Sequence, residues 1–204
     1  MSDMFRKLCL LAALALSAPA MAQETTSSDT PQAGAEAPAE RDDGLSTGTP
    51  ELKVGDPYVV SVHTDWELRC VKAPEGTKEP CQMYQLLNDQ RGNSVAEINL
   101  FNLPNDPQLA AGATIITPLE TLLTRQLRLS IDGAPAKQYP FTFCTSIGCI
   151  ARIGLTPGEI AAMKAGAVAN ILIVPAKAPD QTVDLTMSLS GFTAGFDAVI
   201  EANK

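Results

Sequence analysis

From Tyr58 onward, apolar and polar residues alternate with a period of two, which is typical of β-strands with one buried face. The alternation is strict over 183–189, and it is also clear over 126–131, where it ends at the turn signal Asp132-Gly133. The pattern predicts a mainly β fold, an antiparallel sandwich or barrel-like single domain. Further predicted strands, separated by polar residues, are 57–62, 65–70, 81–87, 95–102, 113–117, 139–144, 149–155 and 168–174.

Two segments have a helical pattern instead. A capping box with proline at the first helical position occupies 156–159, and it predicts a helix over 156–166 that stops at a glycine. A second helix is predicted at 193–202, because apolar residues there recur at the spacing of one helix face. We expect both short helices to pack on the sheet or to plug one end of it.

The amino-terminal residues resemble a secretory signal. A basic pair at 6–7 precedes an apolar segment at 8–18 and the small-residue sequence at 20–22. As a helix, the apolar segment would span about 16 Å, which is half the thickness of the hydrocarbon core of a membrane. We therefore predict a signal peptide at 1–22, cleaved after Ala22, and an exported protein.

The next segment, 23–50, differs in composition from everything that follows. It is dominated by Thr, Ser, Ala, Pro, Gly and acidic residues, and Leu45 is its only large apolar residue. Such a segment cannot bury enough apolar surface to offset the entropy lost on ordering. We predict a disordered acidic tether that leads into a folded domain at 51–204.

Charge and composition exclude two classes of function. The formal net charge is −8 and only 5% of residues are aromatic, whereas a nucleic-acid-binding domain usually has a basic face. The longest apolar run is shorter than the ~18 residues that a membrane-spanning helix requires. We therefore expect no nucleic-acid partner, and we do not expect an integral membrane protein.

The cysteines are consistent with export. Cleavage of the signal peptide leaves Cys70, Cys81, Cys144 and Cys149, which allow three pairings. The spacing favours 70–81 and 144–149, since a four-residue connection would place the last two cysteines opposite each other across a hairpin. A zinc site or a thioredoxin-like redox site is disfavoured, because the sequence has no C-x-x-C motif and only one histidine, His63.

The sequence contains no recognisable catalytic motif. Ser61 and Ser146 are potential nucleophiles for His63, but neither lies in a G-x-S-x-G elbow. A phosphate-binding glycine loop is also missing. Carboxylate pairs leave no spacing rule, but the acidic residues mostly fall at polar strand positions or in turns: Asp65, Glu67, Glu97, Asp132 and Asp184. We therefore expect neither an enzyme nor a bound cofactor or metal.

Trp66 is the only tryptophan, and it lies four residues before Cys70. On a strand, residues 66, 68 and 70 face the same side. Trp66 is therefore interpreted as a core aromatic beside a disulfide, and the alternative is an exposed contact platform for a ligand or partner.

Taken together, these features resemble the invasion-associated locus B family from about Asp65 to Val199. The resemblance implies an exported bacterial protein of the periplasm or envelope, without a catalytic residue set. The family name comes from a pathogen protein implicated in erythrocyte invasion, and the tether at 23–50 has no match in the family pattern. The motifs that carry the resemblance are Trp66-x-x-x-Cys70, Cys81, Cys144-x-x-x-x-Cys149, the capped helix at 156–166 and Ser188-Leu-Ser-Gly-Phe192.

We therefore expect a non-enzymatic envelope protein that acts through a protein or cell-surface partner, with host-cell invasion as one such role. The alternative is a periplasmic carrier that holds a small ligand or lipid in a cavity. An enzyme would require carboxylates, or His63 with a hydroxyl, to converge in one cleft. The sequence leaves open the partner, the oligomeric state and the choice between periplasm, outer envelope and secretion.

Overall fold

The computed structural model describes Gly48 and residues 51–204. The predicted signal peptide at 1–22 and all but one residue of the predicted tether at 23–50 lie outside the described residues. The proposed domain boundaries therefore stay predictions.

Within 51–204, the chain forms eleven strands, one short 3-10 helix and two α-helices. In order these are β1 Pro57–His63, β2 Trp66–Val71, β3 Cys81–Asp89, β4 Ser94–Asn102, β5 Ala111–Thr117, a 3-10 helix at Leu123–Arg125, β6 Leu127–Ile131, β7 Lys137–Tyr139, β8 Phe141–Thr145, β9 Gly148–Leu155, α1 Pro157–Ala165, β10 Val168–Ile173, β11 Val183–Ser188 and α2 Phe192–Ala202.

These strands form one sheet, and every pair in it is antiparallel. The main path through the sheet is β7-β6-β10-β11-β3-β4-β5-β9-β8. The long strand β3 pairs with β4 along one edge. Its other edge is shared, because the first residues of β3 pair with β2 and the last two pair with β11. β1 then adds to the free edge of β2.

The two ends of this path are separated along the chain by Pro140 alone. β7 pairs with β6, whereas β8 pairs with β9. Proline has no backbone N–H and interrupts a ladder, so one extended stretch of chain is divided between the two ends of the sheet. The sheet is therefore nearly closed and barrel-like. The predicted mainly antiparallel β fold with two short helices is confirmed, although the single strand expected at 139–144 is two strands.

Alternating burial along the strands follows the predicted period of two. In β3, for example, Cys81, Met83, Gln85 and Leu87 are buried, whereas the residues between them face outwards. The core also takes in the inner faces of both helices. α2 packs on β1 to β4 and on α1, and it buries Phe192, Phe196 and Val199.

Candidate functional site

The structure pairs the four cysteines as two cross-strand disulfides. Cys70 and Cys81 join β2 to β3, with 4.1 Å between their Cα atoms, and both are buried. Cys144 and Cys149 join β8 to β9, with 4.0 Å between their Cα atoms. The second bridge differs from the first because Cys144 is exposed and only Cys149 is buried.

The first disulfide is held in place by α2. Asn203, just beyond the helix, accepts a hydrogen bond from the Cys81 backbone N–H at 3.1 Å and donates one to the Cys81 carbonyl at 2.9 Å. The same amide donates to the Asn102 side chain at 2.9 Å. The bridge and the end of α2 therefore stabilise one another.

Trp66 lies in the core and is not part of the surface. Its side chain is fully buried, and its indole N–H donates to the carbonyl of Ser188 at 2.9 Å. The ring packs edge-to-face against Phe192, with 5.4 Å between the ring centroids. The indole therefore supports the fold, and it is not available as a contact platform.

A partly buried polar network surrounds this indole. The Gln85 side chain accepts from the Ser188 N–H at 2.8 Å and donates to the carbonyls of Ser188 and Asp65 at 3.0 and 3.1 Å. The Ser188 hydroxyl donates to the Asp65 carboxylate at 2.6 Å. We call these residues, Asp65, Trp66, Gln85, Ser188 and Gly191, the Trp66 junction.

Gly191 belongs to the junction because no larger residue fits there. Its φ of +82° lies in the left-handed region, and a Cβ at this position would overlap the carbonyl oxygen of His63. The Ser188-Leu-Ser-Gly-Phe192 motif therefore has a structural explanation, which is the close approach of the β11–α2 connection to the β1–β2 turn.

His63 and Ser61, which the sequence suggested as a base and a nucleophile, lie side by side on β1. The Ser61 hydroxyl oxygen and Nε2 of His63 are 2.9 Å apart. Nucleophilic catalysis also requires a group that orients the imidazole. In residues 51–204, Ser61 is the only side chain that hydrogen-bonds to His63, so the pair has no orienting carboxylate.

The other candidate groups do not converge with this pair. Ser146 lies in the β8–β9 turn. In the described residues, no cluster of three or more His, Cys, Asp or Glu side chains could hold a metal ion. Four of the five candidate carboxylates have separate partners, as follows: Asp65 with Ser188, Glu67 with Arg69, Glu97 with Asn99, and Asp132 with the backbone of Ala167 and Val168. The fifth, Asp184, lies on β11 opposite Leu172.

An apolar surface that the sequence did not predict surrounds the β8–β9 turn. Its residues line a groove of about 390 Å³, and we call them the hairpin patch: Leu86, Val95, Ile116, Pro118 and Ile147. Ile147 is 71% exposed and Leu86 is 46% exposed, which is unusual for large apolar side chains next to one another.

The strand register explains why these residues meet. Leu86 is paired with Glu97, Glu97 with Ile116, Ile116 with Ile150, and Ile150 with Phe143. Cross-strand partners lie on the same face of a sheet, so five strands contribute one row of side chains to the outer face. The sequence contains one indication of this row. Leu86 and Leu87 are both apolar, so they break the alternation of apolar and polar residues in β3.

The turn then brings Ile147 to this row. Gly148 has a φ of +146°, and a Cβ there would overlap the carbonyl oxygen of Thr117 at the end of β5. Leu119, which is 58% exposed, lies just beyond that strand. Two charged groups belong to this surface, because Glu97 lies in the row between Leu86 and Ile116 and the Arg152 guanidinium is 5.5 Å from the centre of the Phe143 ring. The row is therefore apolar apart from one carboxylate, Glu97, and an exposed apolar cluster of this kind is typical of a contact surface.

A second groove, of about 530 Å³, lies between the β6–β7 hairpin and α1. We call it the helix groove. It is lined by Leu129, Ser130, Ile131, Asp132, Ala134, Pro135, Lys137, Thr156, Gly158, Glu159, Ala162, Ala165 and Gly166.

Glu159 anchors the polar side of the helix groove. Its carboxylate binds the Lys137 ammonium at 2.8 Å, and it accepts from the Tyr139 hydroxyl at 3.1 Å and from Thr156 in the capping box. Burial raises the pKa of Glu159, but the hydrogen bonds from Lys137, Thr156 and Tyr139 outweigh it and lower the pKa to about 2. Burial, together with the negative charge of Glu159, raises the pKa of Tyr139 to about 12.

At the other side of the helix groove is Asp132, at the turn between β6 and β7. It has a φ of +44°, which aspartate tolerates better than most residues. Its carboxylate accepts the backbone N–H groups of Ala167 and Val168 at 3.1 and 3.0 Å. These bonds fix the carboxylate beside the end of α1.

None of the helices in residues 51–204 combines the length and the apolar character needed to cross a membrane.

The chain is similar to known proteins in both sequence and fold. Residues 66–200 match the model of the Invasion associated locus B (IalB) protein family. The chain belongs to this family. The match begins at Trp66, includes both disulfides and four of the five residues of the Trp66 junction, and ends within α2. The resemblance inferred from the sequence motifs is therefore confirmed.

Individual members of the IalB family are distant from this chain. An invasion protein B homolog of Brucella abortus (strain 2308) is 26% identical over 156 residues, which is 76% of this chain and 87% of that protein. The homolog of Brucella abortus biovar 1 (strain 9-941) gives the same values. The crystal structure of invasion associated protein B from Bartonella henselae matches with a TM-score of 0.59 and 20% identity, over 70% of this chain and 95% of that chain. At this identity the structure shows a shared fold.

Proposed function

We propose that the protein is a non-enzymatic, exported envelope protein that acts by contact with a protein partner through the hairpin patch. The exposure of large apolar side chains around Ile147 carries the proposal, because exposed apolar clusters commonly mark contact sites. Two disulfides support an oxidising compartment, and so does the predicted signal peptide at 1–22. The separate partners of the carboxylates support a non-enzymatic role.

The contact is tested by site-specific photo-crosslinking in cells that produce the full-length chain. A photoreactive amino acid is placed at Ile147 in the hairpin patch or at Val62 on β1, which is similarly exposed at 64%. We expect a discrete crosslinked product from position 147 alone, and we expect Leu86→Asp to remove it. The same products from both positions, or none from position 147, would contradict the proposal.

The location is tested by protease treatment of intact cells, followed by detection of residues 51–204. A soluble periplasmic protein serves as the control. If the domain is lost while the control survives, the protein is on the cell surface, which supports the host-cell contact that the family name suggests. If both survive until the outer membrane is opened, the partner lies in the periplasm and the invasion role is excluded.

The helix groove favours a second candidate function, which is binding of a small ligand. Its volume of about 530 Å³ is within the range of roughly 300–1,000 Å³ that ligand pockets occupy. Native mass spectrometry of the purified protein tests this function, because a carried ligand would add mass to the wild type but not to Ala162→Leu. An unchanged mass under mild conditions, together with no uptake of added small molecules, would contradict it.

A further inference from the structure

The walls of the helix groove are mostly apolar and small. The sheet contributes Leu129 and Ile131, and the helix contributes Ala162 and Ala165, whose side chains end at Cβ. Ala162 and Ala165 are exposed, so the helix side of the groove is open to solvent. These walls suit an aliphatic chain, since burial of each CH₂ group contributes about 0.8 kcal/mol.

The charges in the helix groove are not balanced. Its lining contains two carboxylates, Asp132 and Glu159, and one ammonium, Lys137. Lys137 is already bound to Glu159, and that carboxylate stays ionised at neutral pH because its pKa is about 2. The remaining formal charge of −1 is therefore that of Asp132.

Asp132 is placed to receive a cation. Its carboxylate is held by backbone N–H groups, which fix its position without neutralising it. Among residues 51–204, no lysine, arginine or histidine forms an ion pair with it. Oδ2 accepts a single N–H, from Ala167 at 3.1 Å, whereas a carboxylate oxygen can accept more than one hydrogen bond.

We infer that the helix groove binds an aliphatic ligand with a cationic ammonium head, which lies against Asp132 while the chain lies between Ile131 and α1. A fatty acid with an aliphatic chain of the same length should bind more weakly, because its carboxylate would be repelled by the net negative charge of the groove. This inference rests on the second candidate function and adds to it the chemical class of the ligand.

The test compares three eight-carbon probes that differ in the head group: octylammonium, octanol and octanoate. Binding to the full-length protein is measured by isothermal titration calorimetry at one ionic strength. We expect octylammonium to bind at least tenfold more tightly than octanoate. Ala162→Leu, which adds bulk at an exposed helix position, should weaken all three probes.

Charge-matched variants separate the groove from the acidic surface as a whole. Asp132→Asn keeps a residue type that tolerates a positive φ, and it should reduce the affinity for octylammonium about tenfold while leaving the affinity for octanol unchanged. Asp180→Asn removes an exposed carboxylate outside the groove, and it should have no effect. Equal losses in both variants would show general attraction of cations to the acidic chain and would overturn the inference.

The two proposals fail in different ways. If all three probes bind equally and Ala162→Leu weakens them all, the groove is a ligand site without charge selection, so only the inference about the head group is overturned. Tighter binding of octanoate has the same meaning. If no probe binds, both the inference and the second candidate function are overturned.

Discussion

The Trp66 junction and the hairpin patch both lie where strands end, but only the hairpin patch lies beside a disulfide, and the side chains of the two regions face opposite environments. In the junction the indole is fully buried, and in residues 51–204 every buried side-chain nitrogen or oxygen has a hydrogen-bond partner. In the patch, large apolar side chains are exposed to solvent. The difference is that one region completes the core, whereas the other leaves apolar surface exposed, which the proposed partner would cover.

This difference bears on what family membership means. Two of the features that carry the family resemblance, Trp66 and the Ser188-Leu-Ser-Gly-Phe192 motif, supply residues of the junction and stabilise the fold. The hairpin patch depends on residues that the motifs do not specify, such as Leu86 between two motifs and Ile147 at an unspecified position of Cys144-x-x-x-x-Cys149. Membership therefore predicts the shape of a relative more directly than it predicts the partner.

The largest effect should come from Gly191 in the junction. Gly191→Ala places a methyl group on the His63 carbonyl oxygen at a φ of +82°, so we expect a loss of at least about 3 kcal/mol or failure to fold. Gly133→Ala is the control, because its φ is +74° but a Cβ there meets nothing within 4 Å. It should cost about 1 kcal/mol.

Urea unfolding measures both variants, and the fluorescence of Trp66, the only tryptophan, reports the transition. Equal destabilisation by the two variants would mean that the left-handed backbone alone is responsible. The close packing of the junction would then not contribute.

The two disulfides give the next largest effect. By the chain-entropy model, removal of the Cys70–Cys81 bridge should cost about 3 kcal/mol, and removal of the shorter Cys144–Cys149 bridge about 2 kcal/mol. Paired Cys→Ala substitutions and urea unfolding measure both. A larger loss of unfolding free energy on removal of the Cys144–Cys149 bridge, which lies beside the hairpin patch, would contradict this order.

Intact-mass analysis with alkylation tests the pairing itself. Mature protein, from which the predicted signal peptide has been removed, should show no free thiol before reduction and four after it. Two free thiols in the native protein would contradict the presence of two bridges.

Glu159 tests whether another motif of the family resemblance, the capped helix, is also structural. In the folded protein the pKa of Glu159 is about 2, whereas its ordinary value is 4.5. The contribution of the ionised carboxylate to folding stability is therefore present above pH 4.5 and is lost as the pH falls towards 2. We expect the wild type to lose roughly 2 kcal/mol more than Glu159→Gln between pH 6 and pH 2.5. Denaturant unfolding over this range measures the difference, and parallel curves for the two proteins would contradict it.

The smallest effect on stability should come from the hairpin patch. Ile147→Ser removes an exposed side chain and should change the free energy of unfolding by less than about 0.5 kcal/mol. Ile171→Ser, at a fully buried position of β10, should cost more than about 3 kcal/mol. If Ile147→Ser also costs several kcal/mol, Ile147 is part of the core and the proposed contact surface is wrong.

Local patterns predicted most of the elements. The alternation of apolar and polar residues predicted the strands, and the sequence at 156–159 predicted the capping box that the structure shows. Pro140 divided a segment whose apolar pattern continues on both sides, so the break between β7 and β8 was missed. The 3-10 helix at Leu123–Arg125 was also missed, because its three residues are too few to show a period.

The candidate sites were harder to predict because they depend on register. Ser61 and His63 are close because residues two apart share a face of a strand, and the sequence alone indicates this. In contrast, Leu86, Ile116 and Ile147 are distant along the chain, and they meet only because five strands pair in one alignment. The helix groove likewise depends on where α1 packs, and no motif encodes that position.

The break at Pro140 also bears on the order in which the fold assembles. β7 and β8 are at the two ends of the sheet but adjacent along the chain. Bringing these two ends together therefore involves almost no loss of loop entropy. The more demanding step is the pairing of β11 with the last two residues of β3, because these two strands are far apart along the chain. Pairing between distant segments is slow, so we expect the hairpins to form early and the β3–β11 contact to set the folding rate.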